Sequence, residues 1–236
     1  MTTFVAVHGA WSAGWAWHKM HALFAAGGHR LITPTCTGLG ERSHLVSPQV
    51  DLNLHIEDII RVFESENLQD VVLIGHSYGG MVVTGVADRV SAHIRKLVYV
   101  DALLPFNGEC ALDVLPESHK AGIMRDVHEN GHGWLISASQ MPPDTPEEDR
   151  QLAIGRRIAQ PFRTFSTPVH LTGRGAAIPT TYIYCTHVNA FDSFGLSASR
   201  ARGKEAWQYI EMAASHNPHI TVPHELARLL FSIALN

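Results

Sequence analysis

Apolar and polar positions along this 236-residue chain change period several times. Unbroken apolar runs at residues 4–7, 71–74, 97–100 and 182–185 suit short strands buried on both faces. Between them, apolar residues recur at helical spacing. Trp15, Met20, Leu23 and Phe24 predict a helix over 15–26, ended by Gly27-Gly28, and 54–63 reads as an amphipathic helix. Brief strands are expected at 30–33 and 207–212, and a closing helix at 223–235. The run 71–74 leads through Gly75-His76-Ser77-Tyr78-Gly79-Gly80 into a helix reaching Ala87. Strands alternating with helices predict an α/β fold, a mostly parallel central sheet with helices on both faces.

From 105 to 179 the periodicity loosens. Pro116, the Asn130-Gly131 turn, Pro142-Pro143 and the charged run 147–150 predict short helices and loops. This stretch is read as a small helical cap inserted into a single domain spanning 1–236. No internal repeat or low-complexity segment is visible.

Composition narrows the function classes. Hydrophobic residues make up 45% and charged residues only 17%, which argues against disorder. A net charge of -4 without a basic block gives no nucleic-acid footprint. Cys36, Cys110 and Cys185 stand far apart with no C-x-x-C pair, so a disulfide framework is not expected and a reducing compartment fits. The opening residues lack a secretory pattern, and no apolar run is long enough for a bilayer. The expectation is a soluble cytoplasmic protein without nucleic-acid or membrane partners.

Gly75-His76-Ser77-Tyr78-Gly79 matches G-x-S-x-G in the context that makes it informative, an apolar strand before and an apolar helix after. A chain turning from strand to helix within a residue or two thrusts the serine hydroxyl above the sheet's carboxyl edge. The plainer reading, a serine capping a helix, does not need the preceding strand. Ser77 is the candidate nucleophile. It needs a base, a group to orient that base, and donors for an oxyanion. The loop at His8-Gly9-Ala10-Trp11 offers the Ala10 N–H, and Tyr78 N–H is the second candidate donor. Among sixteen histidines the base is expected after the last strand and before the last helix, where His216, His219 and His224 stand. His216 comes first and is preferred. For the acid, Asp101 at the end of a strand is preferred, Asp192 is the alternative, and a site without a carboxylate remains open. Asp70 lies at the wrong end of its strand.

These residues, with VHGAWSAGWAWHK at the start, the Thr37-Gly38-Leu39-Gly40-Glu41-Arg42 loop, GHSYGG, YVDALLP and TYIYCT, resemble the α/β-hydrolase superfamily over nearly the whole chain. The resemblance is greatest to the branch of plant hydroxynitrile lyases, plant methylesterases and small bacterial carboxylesterases. It implies a capped pocket for small apolar esters. The lyases of that branch carry threonine where Gly9 stands and lysine where Asn217 stands, so hydrolysis is favoured over cyanohydrin cleavage. The branch also has an aspartate near Asn189, which this chain lacks.

The expected reaction is acyl transfer to water through an acyl-enzyme on Ser77, with a small-molecule ester as partner and no cofactor or metal. Trp11, Leu103, Trp134 and Met141 are candidate pocket linings, with core or cap packing as their alternative role. A hydroxynitrile lyase, or a hydrolase homologue that binds without turnover, is the competing function. His128-Glu129-Asn130-Gly131-His132 spells H-E-x-x-H, but its Asn-Gly turn would break the helix a zinc site needs. Assembly as a homodimer is left open.

Overall fold

The computed structural model describes residues 1–188 and 192–235. The chain runs β1 (Thr3–Val7), α1 (His18–Ala26), β2 (Arg30–Ile32), α2 (Leu52–Ser65), β3 (Val71–Ser77), α3 (Gly79–Arg89) and β4 (Ile94–Ala102). It continues through α4 (Ala111–Val114), α5 (Glu117–Glu129), β5 (Leu135–Ile136), α6 (Glu147–Ala153), β6 (Gln160–Pro161) and α7 (Arg163–Ser166). It then returns through β7 (Thr180–Cys185), α8 (Gly195–Arg202), β8 (Gln208–Met212), α9 (Pro218–Thr221) and α10 (Pro223–Leu235). Among the described residues, six strands form one sheet in the order β2-β1-β3-β4-β7-β8, every neighbouring pair parallel. β5 and β6 make a separate antiparallel ribbon.

Strand side chains alternate between faces, and here each face meets an apolar layer. Val5, Val7, Val71, Leu73, Leu97 and Tyr99 enter a core shared with α2, α3 and the chain between β4 and β7. Their neighbours Phe4, Ala6, Val72, Ile74, Val98 and Val100 enter a second core with Trp17, Phe24, Leu226 and Leu230 from the helical layer opposite. Burial on both sides explains why these strands read as unbroken apolar runs instead of alternating ones.

The elements differ from the sequence expectation mainly at their ends. The helix expected over 15–26 opens with a 3₁₀ turn, Gly14–Trp17, before α1 begins. α2 starts earlier than its apolar pattern because Asp51 caps it, Oδ1 accepting the Leu54 N–H at 3.0 Å. β3 and β4 extend beyond their apolar runs to Ser77 and Ala102, so the polar residues at their carboxyl ends still belong to the sheet.

Candidate active site

The carboxyl ends of the central strands share one edge of the sheet, where α/β folds place their chemistry. β3 ends at Ser77 and α3 starts at Gly79, leaving Tyr78 alone to make the turn. Ser77 takes φ 55°, a left-handed backbone that costs a non-glycine residue about 1–3 kcal/mol. The turn is tight enough that a Cβ on Gly79 would lie 2.6 Å from the Val7 carbonyl oxygen, so glycine alone fits there.

His216 lies between β8 and α9, and its ring bridges two strand ends. Nε2 is 3.0 Å from Ser77 Oγ, and Nδ1 is 2.7 Å from Asp101 Oδ2. An ionised carboxylate only accepts, so Nδ1–H donates to Asp101 and the Nε2 lone pair faces the serine hydroxyl. Asp101 is buried, and its other oxygen accepts the Cys185 N–H at 3.2 Å. The His216 ring stacks on Phe194, centroids 4.5 Å apart and planes 12° apart.

His76, the variable residue before Ser77 in G-x-S-x-G, was not singled out from the sequence. Its Nε2–H donates to the His216 carbonyl oxygen at 2.8 Å and so fixes the backbone of that loop. Burial pushes the His76 pKa well below its ordinary value, with His219 and His216 adding to the effect, so it stays neutral. Its position inside G-x-S-x-G is the one sequence signal that pointed to it.

The other candidates are placed elsewhere. Asp192 has both oxygens engaged locally, Oδ2 accepting from Tyr184 Oη at 2.6 Å and Oδ1 from the Phe194 N–H at 2.9 Å. His219 is buried in α9 against the Trp17 indole, 4.6 Å between centroids, and burial holds its pKa down to about 3. His224 sits in α10. Asn189 lies outside the described residues. In His128–His132 the helix ends at Glu129 and His132 takes φ 51°, so the two histidines do not share a helical face.

Ala10 and Tyr78 flank Ser77, and among the described residues neither backbone N–H donates to a protein acceptor. The loop bearing Ala10 is held on both sides. His8 Nδ1–H donates to the Gly9 carbonyl at 2.8 Å while its Nε2 accepts the Cys36 N–H at 3.1 Å. Trp11, at φ 59°, donates its N–H to Gln160 Oε1 at 2.8 Å and its indole N–H to the Ile136 carbonyl at 3.1 Å. Gln160 is fully buried and donates from Nε2 to Thr164 Oγ1 at 2.9 Å. Nothing in the local sequence marked Gln160, because its partner lies far away along the chain.

Tyr78 is anchored from below. Its hydroxyl donates to His55 Nδ1 at 3.0 Å, and His55 Nε2–H donates to the Thr37 carbonyl at 2.9 Å. Burial holds the His55 pKa down to about 4. The Thr37–Arg42 loop is tied to α2 by Asp58, which accepts from Thr37 N–H and pairs with Arg42 at 2.9 Å.

A cavity of about 750 Å³ opens at Ser77 and His216, lined among others by Trp11, Leu103, Met141, Phe165 and Phe194. Trp134 does not line it, which corrects the sequence expectation. It sits in the turn after α5, its carbonyl accepting the Phe162 N–H at 2.8 Å beside the β5–β6 ribbon. A second, smaller chamber of about 60 Å³ adjoins the first, the two sharing Ala10, Trp11, Ser77, His216 and the segment 139–142 in their walls.

A strained serine between strand and helix, with a histidine from beyond the last strand, defines the α/β-hydrolase class. The alpha/beta hydrolase family matches over residues 4–229, and the chain belongs to that family. It is 35% identical over 241 residues to a carbendazim hydrolyzing esterase of Nocardioides sp. (strain SG-4G), covering 99% of this chain and 100% of that protein. It is 31% identical over 207 residues to methylesterase 2 of Arabidopsis thaliana, covering 79% of this chain and 78% of the relative. Its fold is similar to that of a tomato methylketone synthase I variant complexed with β-ketoheptanoate. The TM-score is 0.83 at 20% identity, over 99% of this chain and 97% of the other. Among the described residues no helix is long and apolar enough to cross a membrane.

Proposed function

We propose that this protein is a serine carboxylic-ester hydrolase acting on small, largely apolar esters through an acyl-enzyme. The observation that carries the reading is the hydrogen-bonded chain from Asp101 through His216 to Ser77, opening onto the 750 Å³ cavity. The names of the relatives, a carbendazim hydrolyzing esterase and a methylesterase, support the same reaction class.

His216 Nε2 takes the Ser77 proton as Oγ attacks the ester carbonyl, and Asp101 holds the imidazolium that forms. The oxyanion sits between the Ala10 and Tyr78 N–H groups, each such donor contributing about 3 kcal/mol at the transition state. His216 then protonates the departing alcohol. In the second half it draws a proton from water, which attacks the acyl carbonyl, and Ser77 leaves with that proton. The chain between β4 and β7 acts as the cap, supplying Met141 and Phe165 to the cavity and Gln160 to the loop carrying Ala10.

Gly9 favours hydrolysis over cyanohydrin cleavage. A Cβ at that position would lie 2.9 Å from Ser77 Cβ and 3.3 Å from Ser77 Oγ, so a threonine there would force Ser77 to shift. Asn217, where a lyase would carry lysine, is buried, and its backbone carbonyl accepts from Ile220 and Thr221 at the start of α9.

The test is hydrolysis of short and medium p-nitrophenyl esters, with carbendazim added to the panel, by wild type and Ser77→Ala. Turnover that vanishes with Ser77 supports the proposal. Folded wild type that turns over none of these substrates overturns it and favours binding without turnover.

A further inference from the structure

The two cavities that meet at Ser77 differ in charge. The large one has Asp101, Asp126 and Asp192 in its wall. Among the described residues the small one has no carboxylate in its wall and one arginine, Arg157. The other residues around that chamber include Ser77, His76, His216, Asn217 and His219. His76 and His219 are kept neutral by burial, so among the described residues Arg157 is the side chain of fixed charge in that wall.

Arg157 is half-buried and has no carboxylate within ion-pair distance among the described residues. The contrast with its peers is clear. Arg42 is paired with Asp58, Arg163 with Asp51 and Arg200 with Glu109. Its Nη2 donates to the Ser139 carbonyl at 3.0 Å and to Ser139 Oγ at 3.3 Å, and the guanidinium lies 5.9 Å from the centre of the Trp11 ring. Those contacts fix where the fork points but satisfy few of its five N–H donors. Burial alone draws its pKa down from the ordinary arginine value, with no acid to offset it. An arginine placed this way lacks the counter-ion that semi-buried guanidinium groups ordinarily have, and its planar fork matches a carboxylate.

We propose that the small chamber is an anion subsite, in which Arg157 receives a carboxylate carried by the ester substrate. This rests on the esterase reading above and narrows its substrate class to monoesters of short dicarboxylic acids. The substrate's free carboxylate enters the small chamber and its apolar remainder faces the large cavity. A volume of about 60 Å³, roughly two water volumes, admits a carboxylate group. The acids lining the large cavity oppose the reversed orientation.

The experiment compares monomethyl and dimethyl esters of succinate, glutarate and adipate, with methanol release as the readout. In wild type, kcat/KM for at least one monomethyl ester exceeds that for its dimethyl ester. In Arg157→Met this ratio falls at least tenfold, mostly through KM, and Arg157→Lys recovers part of it. Added salt lowers the wild-type ratio. A ratio that Arg157→Met leaves unchanged overturns the subsite while leaving the esterase reading intact. Binding of monomethyl glutarate to Ser77→Ala, measured by calorimetry, tests the subsite without turnover. Binding that is at least tenfold weaker in Ser77→Ala/Arg157→Met supports the inference even if wild type hydrolyses none of the esters. Equal binding by the two variants, or none by Ser77→Ala, overturns it.

Discussion

Ser77 and Asp101 stand on neighbouring parallel strands, and both take a left-handed backbone at the same irregularity. From Val72 to His76 the pairing is regular, His76 opposite Val100, but Ser77 pairs with Ala102, leaving Asp101 as the extra residue. Their φ values are 55° and 42°. A bulge re-aims the side chain it carries. Here it leaves the Asp101 carboxylate between the Cys185 N–H and His216 Nδ1. Two residues strained at one place, within reach of one imidazole, point to a shared use.

Asp101→Asn is therefore expected to lower turnover by about three to four orders of magnitude, because the amide no longer selects the tautomer that leaves Nε2 free to accept. Asp192→Asn, whose parent carboxylate serves Tyr184 and Phe194, is expected to change turnover less than tenfold. Steady-state kinetics on one p-nitrophenyl ester, with circular dichroism to verify folding, ranks the two. The opposite ranking would move the acid to Asp192.

Gly9 controls the space in front of Ser77. Gly9→Thr is expected to reduce ester turnover at least a hundredfold, since its Cβ meets Ser77 Cβ at 2.9 Å. It is not expected to create mandelonitrile cleavage, because Asn217 remains in place of a lysine. A mandelonitrile assay on Gly9→Thr and on the Gly9→Thr/Asn217→Lys pair checks this. Cleavage by the single variant would show that Gly9 alone decides between the two chemistries.

The parts of the molecule legible in the sequence are those whose physics is local. The strand cores of β1, β3, β4 and β7 announced themselves because burial on both faces removes every polar residue from the run. Ser77 was legible because a strand, two glycines and a helix leave one geometry for the turn. His216 could be preferred because it comes first after the last strand, and Asp101 could be weighed above Asp192 because it ends a strand. What stayed hidden depends on contacts between distant segments. Gln160 reaches Trp11 across 149 residues, and no periodicity encodes that. Trp134 looked like a pocket aromatic by type, but the turn after α5 places it beside the ribbon. Nothing in the sequence marked Arg157, because its lack of an acidic partner among the described residues shows only in the fold. The acid was ambiguous for a related reason, since a bulge at His76/Ser77 leaves no sequence mark.

Several buried histidines make the fold sensitive to acid. His55 and His219 have folded-state pKa values held down to about 4 and about 3, and His8 and His76 are shifted in the same direction, all mainly by burial. In the unfolded chain each titrates near 6.5. Between that value and the folded pKa the unfolded state binds more protons, so stability falls as pH drops. The stabilising contribution is complete above about pH 7 and is lost progressively below about 6.5. His55 and His219 are each expected to remove about 2 kcal/mol between pH 7.5 and 5. Urea denaturation at several pH values measures the slope. His55→Asn should flatten it by nearly one proton; an unchanged slope would mean that His55 is not buried as the neutral form.

Gln160 connects the β5–β6 ribbon to the loop carrying Ala10. Its Oε1 is the acceptor for the N–H of Trp11, the residue next to the proposed oxyanion donor, and Trp11 is itself held at a left-handed φ of 59°. Gln160→Met keeps the volume but removes both hydrogen bonds, leaving a partly buried N–H unsatisfied at a cost of about 1–3 kcal/mol. The melting temperature should fall accordingly. Freed of its tether, the loop is expected to widen the gap between the Ala10 and Tyr78 N–H groups. That loss belongs to the transition state more than to substrate binding, so kcat should drop about ten- to a hundredfold with KM changing little. Affinity for a boronic acid that mimics the tetrahedral adduct should fall in parallel. A variant destabilised to the same extent but unaltered in kcat and boronate affinity would reduce Gln160 to a packing role.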